Sequence, residues 1–157
     1  MLIDWLFRLA NFWIMPFWLL MIALPHWQWT RRILCSLWII VPLALAYTVV
    51  VLPQVITLLP VLANPTPEGL ALLLGNPAAA AIGWIHFLAF DLFVGRWIYL
   101  DSRQRAISAW LVSPCLFFTL MFGPLGFLLY LAARAIVGRT QSQNVFVNQG
   151  VQAISHQ

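Results

Sequence analysis

Four long apolar runs dominate the chain, separated by shorter polar intervals. A helix that crosses a bilayer needs about 20 mostly apolar residues, and each run reaches that length. The pattern predicts a first helix from Trp5 to Leu24, carrying Arg8 near one end and Pro16 in the middle. A second is expected from Ile33 to Leu52, stopped by Pro53. The third begins at Asn76-Pro77, where Asn caps well and Pro suits the first helical turn, and continues to Leu100. The fourth stretch, Ile107 to Ile136, would be roughly 45 Å long at about 1.5 Å per residue, too long for a straight crossing. Pro114 and the Gly123-Pro124-Leu125-Gly126 turn therefore predict a kinked or broken helix.

The long connection between the second and third runs contains Thr66-Pro67-Glu68, then Gly69–Leu74, then Gly75-Asn76-Pro77. It reads as a short capped helix at the membrane surface. From Gly138 to Gln157 the chain turns polar, Gln-rich and nearly uncharged, which suits a tail better than a fifth span. The expectation is an all-α integral membrane protein. Residues 1–137 form a bundle of four transmembrane helices, with an interfacial helix between the second and third, and residues 138–157 form a C-terminal tail.

Composition narrows the class. The chain is 63% apolar and 8% charged, against roughly 25% charged in ordinary soluble domains. Soluble enzymes, nucleic-acid-binding domains and secreted disulfide scaffolds are excluded. The net charge of +4 comes from arginines too scattered to form a nucleic-acid face, so their placement is read as topology. Arg31 and Arg32 occupy the first short loop, and Arg103 and Arg105 the third, with Arg96 within reach. Arg8, Arg134 and Arg139 fall on the other side of a four-helix arrangement. That count puts the two short loops in the cytoplasm and both termini on the opposite face. Trp27, Trp29 and Trp110 sit where an aromatic belt would place them. Cys35 and Cys115 lie in apolar stretches as packed thiols, and no metal-binding spacing is present. The N-terminal run lacks a basic leader and a small-residue cleavage site, so it reads as a permanent span.

The third run carries the chemistry. Asp91 lies deep within it, where a carboxylate costs at least ~2.5 kcal/mol on insertion scales. It is either a hydrogen-bonding anchor for helix packing or a catalytic or ligand-orienting group. Its candidate partners, His86 and Arg96, are each five positions away, about 140° around the axis, so a bridge within one helix is poor. His86, Phe90, Phe93 and Trp97 form one stripe, and Trp84, Phe87, Asp91, Val94 and Ile98 a second. The first would suit a flat conjugated ligand such as a polyene or tetrapyrrole, or equally a packing or lipid-facing surface. A bis-His haem is disfavoured because His86 is the one deep histidine, although a single His could hold a chlorophyll-type magnesium. Repeated inward acids for ion transport are absent. Asp101-Ser102-Arg103-Gln104-Arg105 contains an i,i+4 acid–base pair that reads as a stability element.

Trp84-Ile85-His86 with Asp91-Leu92-Phe93 and Trp97, followed by Asp101-x-Arg103 and Leu120-Met121-Phe122-Gly123-Pro124-Leu125-Gly126 with Tyr130, resembles the abscisic-acid-deficient-4-like family, the neoxanthin synthase-like membrane proteins. Leu24-Pro25 and Trp29-x-Arg31-Arg32 belong to the same resemblance, which covers most of Leu6 to Val137. The short chain looks like a bacterial or cyanobacterial member. The resemblance implies a carotenoid-related role, with plant members implicated in converting violaxanthin to neoxanthin by opening an epoxide into an allene. Such an isomerisation needs an acid and a base but no redox cofactor. On this chain it would make Asp91 the base and His86 or Arg96 the acid, with Trp84, Phe87, Phe90, Phe93 and Trp97 against the ligand. The alternative is a non-catalytic subunit holding carotenoid, chlorophyll or lipid in a larger photosynthetic complex. Thylakoid and bacterial plasma membranes are both compatible with either role.

Overall fold

The computed structural model describes residues 2–138, and every element in that range is helical. Of the expected tail, 138–157, Gly138 ends the last helix and residues 139–157, Arg139 among them, lie outside the described residues. Eight α-helices follow in order: α1 (Leu2–Ala23), α2 (Gln28–Cys35), α3 (Val41–Val51), α4 (Val55–Ala63), α5 (Pro67–Leu74), α6 (Pro77–Gln104), α7 (Ala109–Phe122) and α8 (Pro124–Gly138). Three helical stretches are long and apolar enough to cross a bilayer: Leu2–Ala23, Val41–Ala63 and Pro77–Gln104. The first and third agree closely with the sequence expectation.

The second span is displaced. Residues 33–40, expected within it, instead end α2 and form a separate turn. Ser36 is extended, with φ −78° and ψ 136°, and its hydroxyl accepts from the Trp38 amide. At the other end Pro53 does not stop the helix. It occupies the start of a 3-10 turn, Leu52–Gln54, where its missing N–H costs little, and Val51 and Leu52 keep helical backbone angles. The helical path therefore passes through Pro53 and continues to Ala63.

The short helix expected in the linking segment is present, with caps at both positions the sequence marked. Thr66 Oγ1 accepts from the Gly69 amide at 3.0 Å, capping α5, and Asn76 Oδ1 accepts from Ala78 at 2.8 Å, capping α6. Each cap satisfies a backbone donor that the first helical turn leaves unpaired.

The fourth apolar stretch is broken rather than bent. α7 stops at Phe122, Gly123 takes φ +46° and ψ −96°, and α8 begins at Pro124. Neither half reaches the length of a crossing. α8 folds back: Gly126 lies directly against the Thr119 and Cys115 turn of α7. Further along, Tyr130 and Arg134 reach Asp101, near the end of α6 from which α7 departs. Pro114 lies inside α7 without interrupting it.

α1 and α6 pack against each other extensively. Trp18, only 1% exposed, lies across Gly95, where any Cβ would stand 2.5 Å from the indole Cη2. Small residues let helices approach in this way where lipid offers no hydrophobic drive for association. Carbonyls at and just past the C-terminal end of α1 accept hydrogen bonds from side chains of other helices. Ser113 donates to Ile22 at 3.0 Å, Thr30 to Leu24 at 2.8 Å, and Tyr99 to Pro25 at 3.0 Å. Since an unsatisfied carbonyl is costly in an apolar medium, these bonds fix α7, α2 and α6 around the end of α1.

Candidate functional site

α6 presents its chemistry-bearing residues to three different neighbours. On the face toward α3, His86, Ala89, Phe90 and Phe93 oppose Ile40, Ala44, Tyr47 and Thr48 across a groove of about 560 Å³. That volume falls within the range of about 300–1,000 Å³ typical of small-molecule sites. The half-buried His86 ring lies 4.7 Å from the Phe90 centroid and 5.3 Å from that of Tyr47. Thr48 spends its hydroxyl proton on the Ala44 carbonyl at 2.7 Å, so the Tyr47 hydroxyl and the His86 imidazole are the groove's available proton-bearing groups.

Asp91 faces elsewhere. It lies against the break between α7 and α8, where a Cβ on Gly123 would stand 2.9 Å from Asp91 Oδ1. Gly123 immediately precedes α8, so the carboxylate sits beside a helix N-terminus, the end with partial positive charge. Arg96 turns to a third neighbour. Its Nε donates to the Leu34 carbonyl at 2.6 Å and Nη2 to the Cys35 carbonyl at 2.8 Å, satisfying the C-terminal end of α2. His86, Asp91 and Arg96, grouped as catalytic candidates in the sequence, are thus not brought to one point.

The five aromatic candidates also divide. Phe90 and Phe93 line the groove, while Phe87 is exposed at its edge, 6.1 Å from His86. Trp84 points toward α1: its indole donates to Asn11 Oδ1 at 3.1 Å, and it borders a hollow of about 860 Å³ shared with Asp4, Phe7 and Arg8. Trp97 packs edge-on against Phe127 and Tyr130 of α8, with the Arg134 guanidinium 5.7 Å from its ring.

At the end of α6, Asp101 gathers a network. Tyr130 donates to Oδ2 at 2.6 Å, Arg134 Nε lies 3.0 Å from the same oxygen, and Arg105 Nε donates at 3.0 Å to Oδ1. The Asp101–Arg105 pair follows from helical spacing; Tyr130 and Arg134 come from a distant part of the chain. Sequence reasoning also missed Tyr47 and Asn11. Each is a polar side chain within an apolar run, the one signal that could have marked them. Among the described residues no cluster of His, Cys, Asp or Glu could hold a metal ion.

No curated protein and no solved structure matches the chain. The profile of the ABA DEFICIENT 4-like family matches residues 5–130, which hold α2–α7, nearly all of α1 and the Asp91, Asp101 and Tyr130 positions just described. By that match over most of its length, the chain belongs to the ABA DEFICIENT 4-like (ABA4-like) family of membrane proteins.

Proposed function

We propose that the protein binds a carotenoid or a closely related isoprenoid in the groove between α3 and α6 and isomerises it, with His86 as the acid–base group. Family membership supports a carotenoid- and neoxanthin-related role. The observation that carries the rest is an imidazole set between Tyr47 and Phe90 in an otherwise apolar groove. Opening an epoxide into an allene moves one proton from carbon and delivers one to the epoxide oxygen as its C–O bond breaks. A neutral imidazole can accept the first and, once protonated, supply the second. The flat ring faces of Phe90 and Phe93 would hold the conjugated chain. In this reading Asp91 and Arg96 are positioning groups, the first for the α7–α8 break and the second for α2.

The test is conversion of a 5,6-epoxy xanthophyll by the full chain in lipid nanodiscs, followed by pigment chromatography. His86→Ala should lower the rate by about 10²-fold or more, the usual contribution of a positioned acid–base group. Undiminished conversion by that variant would sink the assignment.

A second reading is favoured by the scarcity of ionisable groups in the groove, where His86 has no carboxylate beside it among the lining residues. Such a site would hold carotenoid, chlorophyll or lipid without chemistry, as a small subunit of a larger photosynthetic membrane complex. Stoichiometric pigment on protein extracted gently from its native membrane, or co-migration with a large complex, would support it.

The same geometry carries a topological proposal. With three crossings and a hairpin that enters the bilayer and returns, Arg31, Arg32, Arg103, Arg105 and Arg134 gather at one end. Arg8 stands at the other, with Asp4 and Glu68. The positive-inside rule then places the arginine-rich end in the cytoplasm. Residue 138 joins it, rather than sharing the opposite face with the N-terminus as four crossings would require.

A further inference from the structure

Between α2 and the C-terminal end of α6 lies a separate cavity of about 170 Å³, lined by Arg31, Cys35, Arg96, Leu100, Arg103 and Gln104. It is several times the roughly 30 Å³ that one water occupies in the liquid, enough for a tetrahedral oxyanion. Three guanidinium groups border it and no carboxylate does. The chain's acids are committed elsewhere: Asp4 and Glu68 belong to the other end, Asp91 to the hairpin tip, and Asp101 to Arg105, Arg134 and Tyr130. Three like charges around one cavity repel unless an anion lies among them.

We propose that this cavity binds the phosphate headgroup of an anionic membrane lipid, with Arg31, Arg96 and Arg103 as its cationic wall. Arg96 is held in place by the Leu34 and Cys35 carbonyls through Nε and Nη2, leaving its Nη1 to donate to a phosphate oxygen. Arg103 is steadied by a 3.2 Å contact between Nη1 and His26 Nδ1. Guanidinium groups match phosphate oxygens in pairs. The apolar surface beside the cavity favours a lipid over a soluble anion. α2 is a short amphipathic helix, burying Thr30 and Leu34 while exposing Trp29, Arg31 and Arg32. Just past Cys35, Leu37 and Trp38 are 54% and 77% exposed and offer an apolar wall for acyl chains. Basic pockets between membrane helices bind lipid headgroups by this combination. The site is separate from the α3–α6 groove, and its occupancy does not depend on what that groove holds.

Native mass spectrometry of the full chain in mild detergent, titrated with phosphatidylglycerol or phosphatidylcholine, tests this. The wild type should retain one phosphatidylglycerol in preference to phosphatidylcholine. Arg31→Gln with Arg103→Gln should weaken that retention about tenfold or more, as expected for lost charge-assisted contacts. Arg32→Gln, on the same helix but outside the cavity, should leave it unchanged. Equal retention by all variants, or equal loss in Arg32→Gln, would overturn the site. Displacement of the lipid from the wild type by millimolar inorganic phosphate would overturn the lipid assignment in favour of a free anion. Should the double variant fail to fold, the wild-type lipid preference and phosphate competition decide the matter alone.

Discussion

Asp91 and Gly123 adjoin where α6 meets the break between α7 and α8: a Cβ on Gly123 would stand 2.9 Å from Asp91 Oδ1. The two residues come from different apolar runs and meet where the last run folds back. A glycine is needed at a backbone angle of φ +46°, where L side chains are strained. It is also needed because the carboxylate occupies the space a side chain would take.

Gly123→Ala should destabilise the protein by about 1–3 kcal/mol, the usual cost of a non-glycine residue in such a conformation. Thermal unfolding in detergent would measure it. In an Asp91→Ala background the penalty should shrink by at least ~0.5 kcal/mol, since the steric part is removed. Strict additivity would show that the two side chains do not meet.

The Asp101 network should lose stability in a fixed order. Tyr130→Phe removes one charge-assisted hydrogen bond, worth about 1.5–3 kcal/mol. Asp101→Ala should cost more, because it also strips Arg134 of its anionic partner. Arg105→Gln should cost least, about 0–1 kcal/mol, because Arg105 is 46% exposed. Unfolding midpoints of the three variants check the ranking.

Gly95→Ala should cost about 1–3 kcal/mol by overpacking, since the new methyl would stand 2.5 Å from Trp18 Cη2. Trp18→Phe shortens the ring system at that contact and should recover part of the loss in the double variant. No recovery would mean that the α1–α6 contact is not the limiting one.

Reporters fused before residue 2 and after residue 138 should fall on opposite faces of the membrane, as three crossings and a returning hairpin require. Four full crossings would place them on the same face. Labelling of single introduced cysteines in intact and permeabilised cells separates the two arrangements.

Much of the local structure was legible from the chain. The α5 and α6 caps at Thr66 and Asn76, the break at Gly123-Pro124 and the Asp101–Arg105 pair depend on neighbours within about one helical turn. The shift of the second span was not legible, because a proline at the start of a 3-10 turn sits comfortably and Pro53 therefore did not end the helix. The separation of His86, Asp91 and Arg96 was equally hidden. Hydropathy establishes that α6 lies in a membrane, and its wheel shows which residues share a face. It does not say which face meets α3, which meets the hairpin and which meets lipid. In water a polar stripe marks the side left exposed. In a bilayer the exposed side is as apolar as the packed one, so only the tertiary contacts decide which residues meet.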